Sequence, residues 1–101
     1  MRYRIRVTPS AANQIRDAAA WWYTNRPQAP SAMAEELERA FELVAAQPRI
    51  GVESASAKLV AVRRVLLSRV RYYLYYRVRA QDDALEVLAF RHSSRGAEPD
   101  T

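Results

Sequence analysis

A chain of 101 residues, half of them apolar, can build one modest core and not two, so a single domain is expected. It contains no cysteine, which removes disulfide frameworks, thiolate metal sites and cysteine nucleophiles together. The formal net charge of +5 rests on arginines, with Lys58 the sole lysine, and this suits an acidic partner, protein or nucleic acid, although arginine enrichment also follows genomic base composition.

"RYRIRV" opens the chain with strict alternation: Tyr3, Ile5 and Val7 on one side, Arg2, Arg4 and Arg6 on the other, the period of a half-buried strand. No apolar block of signal-peptide or membrane-span type is present, so a soluble cytoplasmic protein with no membrane association is expected. Thr8 before Pro9 forms an N-cap and first-turn pair. Ile15, Ala18, Ala19 and Trp22 then recur at helical spacing, which predicts a helix to about Asn25. "NRPQAP" interrupts. Met33, Leu37, Ala40, Phe41 and Val44 share one stripe of a second helix, which Pro48 stops, and the short link predicts an antiparallel helical hairpin.

"RIGVESASA" has no period and reads as a surface loop. Three strands follow: Val62 to Leu67, Tyr72 to Val78 and Leu85 to His92, separated by "SRVR" and "RAQDDA". The expected fold is therefore α+β: an N-terminal strand, a helical hairpin, then a three-stranded antiparallel sheet. Simple alternation along "LEVLAF" puts Leu85, Val87 and Ala89 on one face, and Leu88 and Phe90 with Glu86 on the other. Helices cover only one of these faces, so the second is expected to stay bare until a partner covers it. Charge is segregated too. Seven basic residues and no acidic one lie between Lys58 and Arg79, whereas Glu35, Glu36, Glu38 and Glu42 cluster on the second helix.

His92, the sole histidine, stands between Arg91 and Arg95 and is a candidate general base or phosphate contact. Without a second histidine at ligand spacing it predicts no metal site, and two glycines cannot form a phosphate loop. Tyr72, Tyr73, Tyr75 and Tyr76 interleave with arginines, a pattern that serves base stacking or, more simply, a half-buried strand. Trp22 belongs to the core stripe; Trp21 lies off it and fits an interface anchor. Of Arg63 and Arg64 only one faces the helices, and that one needs a carboxylate or an anionic ligand.

Taken in order, "TPSAANQIRDAAAWWYTNRPQAP", "FELVAAQPRIG", "VRRVLLSRVRYYLYYRV" and "LEVLAFRHSSRG" resemble the ParE branch of the RelE/ParE toxin superfamily. The resemblance implies a toxin domain over residues 1–96 with a flexible tail at 97–101, encoded beside an antitoxin that wraps it in a higher-order complex. It implies a binding toxin that traps DNA gyrase and needs no cofactor, with Arg91, His92 and Arg95 contacting the target. Trp21, Arg77, Leu88 and Phe90 would meet the antitoxin. RelE-like relatives instead cut messenger RNA on the ribosome, using lysines, arginines and a C-terminal tyrosine. This chain lacks that set, since no tyrosine follows Tyr76, but Glu53, Arg64 and His92 could mimic the glutamate, arginine and histidine of other relatives.

Overall fold

The computed structural model describes residues 2–54 and 61–95. The tail at 97–101, expected to be flexible, lies outside the described residues. The elements run β1 (Arg4–Val7), α1 (Pro9–Asn25), α2 (Ala32–Ala46), β2 (Val52–Glu53), β3 (Val62–Leu67), β4 (Tyr72–Arg79) and β5 (Ala84–His92). One sheet carries all the strands in the order β1-β5-β4-β3-β2, with both helices on one of its faces. No helix among the described residues is long and apolar enough to cross a membrane.

The helices form for local reasons and are tied down by specific bonds. Thr8 is extended, its hydroxyl accepts the Ala11 N–H at 3.1 Å, and Pro9 follows where a missing N–H costs nothing. The Trp22 indole N–H donates to the Ala29 carbonyl at 2.8 Å, which closes the turn between the helices while the ring packs on the core. The α2 stripe of Met33, Leu37, Ala40 and Val44 is buried against Leu74, Tyr76, Leu85 and Val87 of the sheet.

Two expectations about the sheet are corrected. It has five strands and is mixed, not three and antiparallel, because β1 runs parallel to β5 with Arg4 opposite Ala84 and Val7 opposite Val87. The antiparallel rule governs strands joined by short hairpins, whereas β1 leaves into α1 at once and fills the otherwise unpaired edge of β5. The stretch read as a loop contributes β2, whose two residues pair with Arg63 and Arg64 of β3. Two residues are too few to show a period.

The second correction concerns β5. Tyr76 faces Val87 but Tyr75 faces Ala89, so Leu88 is an extra residue in the ladder, a β-bulge. Side chains alternate with a strict period of two, and one inserted residue exchanges the faces of all that follow. Phe90 and His92 therefore join the helix-covered face, Phe90 in the main core at 2% exposure, while Ala89 and Arg91 move to the outer face. Nor is the outer face bare: Leu88 is only 8% exposed and forms a second small cluster with Val62, Tyr75 and Ala89.

Candidate functional site

α1 presents one flank to the end of β5. Gln14, Asp17, Ala18 and Trp21 recur at i, i+3, i+4 and i+7, so they align on one side of the helix beside its core stripe. Opposite them stand Tyr72, Phe90, Arg91, His92 and Ser94, and between the two walls opens a cleft of about 520 Å³. Its floor is aromatic: the Tyr72 and Phe90 rings stack at 4.6 Å, and His92 meets Tyr72 edge-on at 5.1 Å. Trp21 forms the outer wall at 47% exposure, with the Arg26 guanidinium 5.0 Å from its ring centre.

Hydrogen bonds set the polar character of the cleft. β1 pairs with β5 only as far as Val87, and beyond that point the Gln14 side-chain oxygen accepts the Phe90 N–H at 2.7 Å. The helix thereby takes over an edge amide that the first strand leaves unpaired. Nδ1 of His92 accepts the Ser94 N–H at 3.1 Å and lies 2.8 Å from the Ser94 hydroxyl. In the tautomer that accepts the Ser94 N–H at Nδ1, the ring N–H is on Nε2. His92 thus offers the cleft a donor whose orientation is held by the turn that follows it.

The sequence-derived candidates fall into two places. Trp21 and Phe90, assigned to an antitoxin, and Arg91 and His92, assigned to a target, line the same cleft. Phe90 forms part of its floor and not an exposed anchor, the consequence of the bulge. Arg77 and Leu88 lie on the outer sheet face, where Arg77 pairs with Glu86 at 2.9 Å. For Arg95 only the backbone position at the end of the turn after β5 is described.

Arg64, His92 and Glu53 are not brought together. Arg64 is opposite Tyr75 on the outer face and lies 4.3 Å above the Tyr73 ring, whereas His92 is on the helix side. Glu53 is on β2, three strands and roughly 14 Å from β5, and leans on Arg63 at 3.5 Å. Arg63 is the inward arginine, and backbone carbonyls satisfy it more closely than any carboxylate: it donates to Gly51 at 2.7 Å and Arg49 at 3.1 Å. Among the described residues no cluster of three or more histidine, aspartate or glutamate side chains could hold a metal ion. Gln14, Asp17 and Ser94 were not singled out from the sequence, and Tyr72 only as one of a run of strand tyrosines. The spacing of Gln14, Asp17 and Trp21 was a legible signal, but it becomes a cleft wall only once the bulge directs Phe90 and His92 toward it.

The family model for the ParE toxin of the type II toxin-antitoxin system parDE matches residues 5–96. The chain belongs to the ParE toxin family. Similar folds occur in toxin-antitoxin complexes. The RelBE2 complex from Mycobacterium tuberculosis matches at 22% identity and a TM-score of 0.64, covering 91% of this chain and 99% of that one. The intact RelBE complex of E. coli matches at 18% identity and 0.65, with 96% and 99% covered. The chromosomal ParDE system of P. aeruginosa matches at 16% and 0.61, with 89% and 95% covered. No curated protein sequence matches the chain. At these identities the likeness shows the fold of this ParE-family toxin, shared by both branches of the superfamily.

Proposed function

We propose that this ParE-family chain is a binding toxin that holds DNA gyrase through the end of β5, with Arg91, His92 and Arg95 as contacts, and works in the cytoplasm. A cognate antitoxin neutralises it by filling the same cleft, in a higher-order complex. The observation that carries this reading is the meeting of Trp21 and Phe90 with Arg91 and His92 around one cleft. A single concave site with an exposed aromatic anchor admits one occupant at a time, so competition is the simplest means of neutralisation. Gyrase is the target that membership in the ParE branch implies. The dispersal of Arg64, His92 and Glu53 over two faces and a distant strand favours binding over RNA cleavage, since acid, base and phosphate cation must converge on one scissile bond.

A supercoiling assay run beside a translation-coupled RNA cleavage assay separates the two readings. Gyrase inhibition weakened at least tenfold in His92→Ala, with transcripts left intact, is the expected result. Transcript cleavage abolished by His92→Ala or Arg64→Ala, with gyrase unaffected, would replace this reading with the messenger RNA endonuclease. Trp21→Ala is expected to weaken antitoxin binding by about 2 kcal/mol, some 30-fold. A stable ternary complex of toxin, antitoxin and gyrase contradicts the shared cleft.

A further inference from the structure

The helices and the outer face of the sheet carry opposite net charge. The helices hold Asp17, Glu35, Glu36, Glu38 and Glu42 against Arg16 and Arg39. On the outer face of the sheet, register places Arg4 and Arg6 from β1, Arg91 from β5, Arg77 and Arg79 from β4, and Arg64 from β3. Glu86 is the one carboxylate on that face among the described residues; it pairs with Arg77 and lies 3.9 Å from Arg79, while Asp82 at the rim lies 3.8 Å from Arg6. Six guanidinium groups thus spread over four adjacent strands with a large positive excess. The Nε atoms of Arg77 and Arg91 are buried without a hydrogen-bond partner, so the face does not use all of its own donors.

We propose that this outer face docks the phosphate backbone of duplex DNA, without reading its sequence. Three observations select that occupant. The charge is distributed rather than focused: arginines two apart in a strand stand about 6.7 Å apart, as a polyanion that carries one phosphate per ~3.4 Å of helix axis on each strand requires, and planar guanidinium forks suit phosphate oxygens. Single strands need open aromatic platforms, and this face offers none among the described residues: the Tyr73 ring lies under Arg64 and Tyr75 is buried. A protein partner needs an apolar anchor at the centre of its interface, but Val62, Tyr75, Leu88 and Ala89 are already buried there. The exposed apolar side chains of this face, Val52 and Leu66, sit at its β2–β3 margin. Arg91 is shared with the cleft, but Arg64, Arg79 and Arg6 lie away from it, so the inference is tested on residues that the gyrase reading does not use.

The test uses the purified full chain and a 20-base-pair DNA duplex, with binding followed by fluorescence anisotropy between 50 and 200 mM salt. Counterion release predicts a slope of log K against log salt of about −0.9 for each phosphate neutralised, so a slope of about −3 or steeper is expected. Arg64→Gln and Arg79→Gln should each flatten it by roughly one. Arg16→Gln, on the helical face, removes the same charge and should leave it unchanged. Arg6→Gln, on the exposed edge strand, repeats the test where the fold is least at stake. No duplex binding at 50 mM salt, an equal loss in Arg16→Gln, or tighter binding of single-stranded DNA, duplex RNA or polyglutamate would each overturn the proposal. Because gyrase is absent from this measurement, duplex binding without gyrase inhibition keeps the inference and removes the earlier reading, and the reverse result does the opposite.

Discussion

Tyr76 shows how much one hydroxyl can organise. The residue is fully buried, donates to the Pro48 carbonyl at 2.8 Å and accepts the Gly51 N–H at 2.9 Å, so it ties the loop after α2 to the middle of the sheet. Tyr76→Phe leaves a donor and an acceptor without partners and is expected to cost about 1–3 kcal/mol in urea denaturation. Burial raises its pKa above the usual value near 10, with the Gly51 N–H and the Arg63 charge opposing in part. A folded pKa above the unfolded one means that stability is fully present below pH 10 and falls as pH rises through the folded value. Unfolding midpoints measured from pH 9 to 11 should show that fall in the wild type and a smaller one in Tyr76→Phe. Gly51 is required for a related reason. A methyl group there would come within 2.6 Å of the Tyr76 hydroxyl and 3.0 Å of the Arg64 carbonyl, so Gly51→Ala should destabilise the protein by about 1–3 kcal/mol.

At the scale of elements, the extra residue in β5 matters most. The limits of α1 and β3 and the cap at Thr8 were readable because local periodicity and capping chemistry state them directly. The face of Phe90 and His92 was not, because both sides of "LEVLAF" are apolar and a bulge at Leu88 leaves no mark in such a pattern. Gln14 reports on the result. Its side chain occupies the Phe90 N–H on the β5 edge beyond β1, and Gln14→Ala would leave that amide unpaired in a half-buried place. A loss of about 1–2 kcal/mol in thermal or urea unfolding is expected, together with faster hydrogen exchange at Phe90 than at Leu74 on the central strand.

Across the whole molecule, acidic helices and a basic sheet are joined by a small number of cross-layer bonds. Glu36, largely buried on α2, accepts the Arg69 N–H at 3.3 Å and the Arg39 guanidinium at 3.1 Å, while Glu35 pairs with the Arg69 guanidinium at 3.0 Å. Glu36→Ala removes the acceptor that ties α2 to the β3–β4 turn. It should cost about 1–2 kcal/mol, which for a domain of this size lowers the melting temperature by about 5–15 °C. Glu35→Ala removes only an exposed pair and should change it by a degree or two at most.

The amino-acid order by itself determined the helices, the central hairpin and the separation of charge, because each is written in short-range periodicity, capping residues and composition, and it pointed to the family through the resemblance of its segments. Only the tertiary structure decided that β1 lies parallel to β5, that Phe90 and His92 turn toward α1, and that Trp21 faces them across a cleft. Those relations join residues about 70 positions or more apart. They depend on which edge is left unpaired and where the ladder admits an extra residue, and packing settles both only when all the elements are assembled.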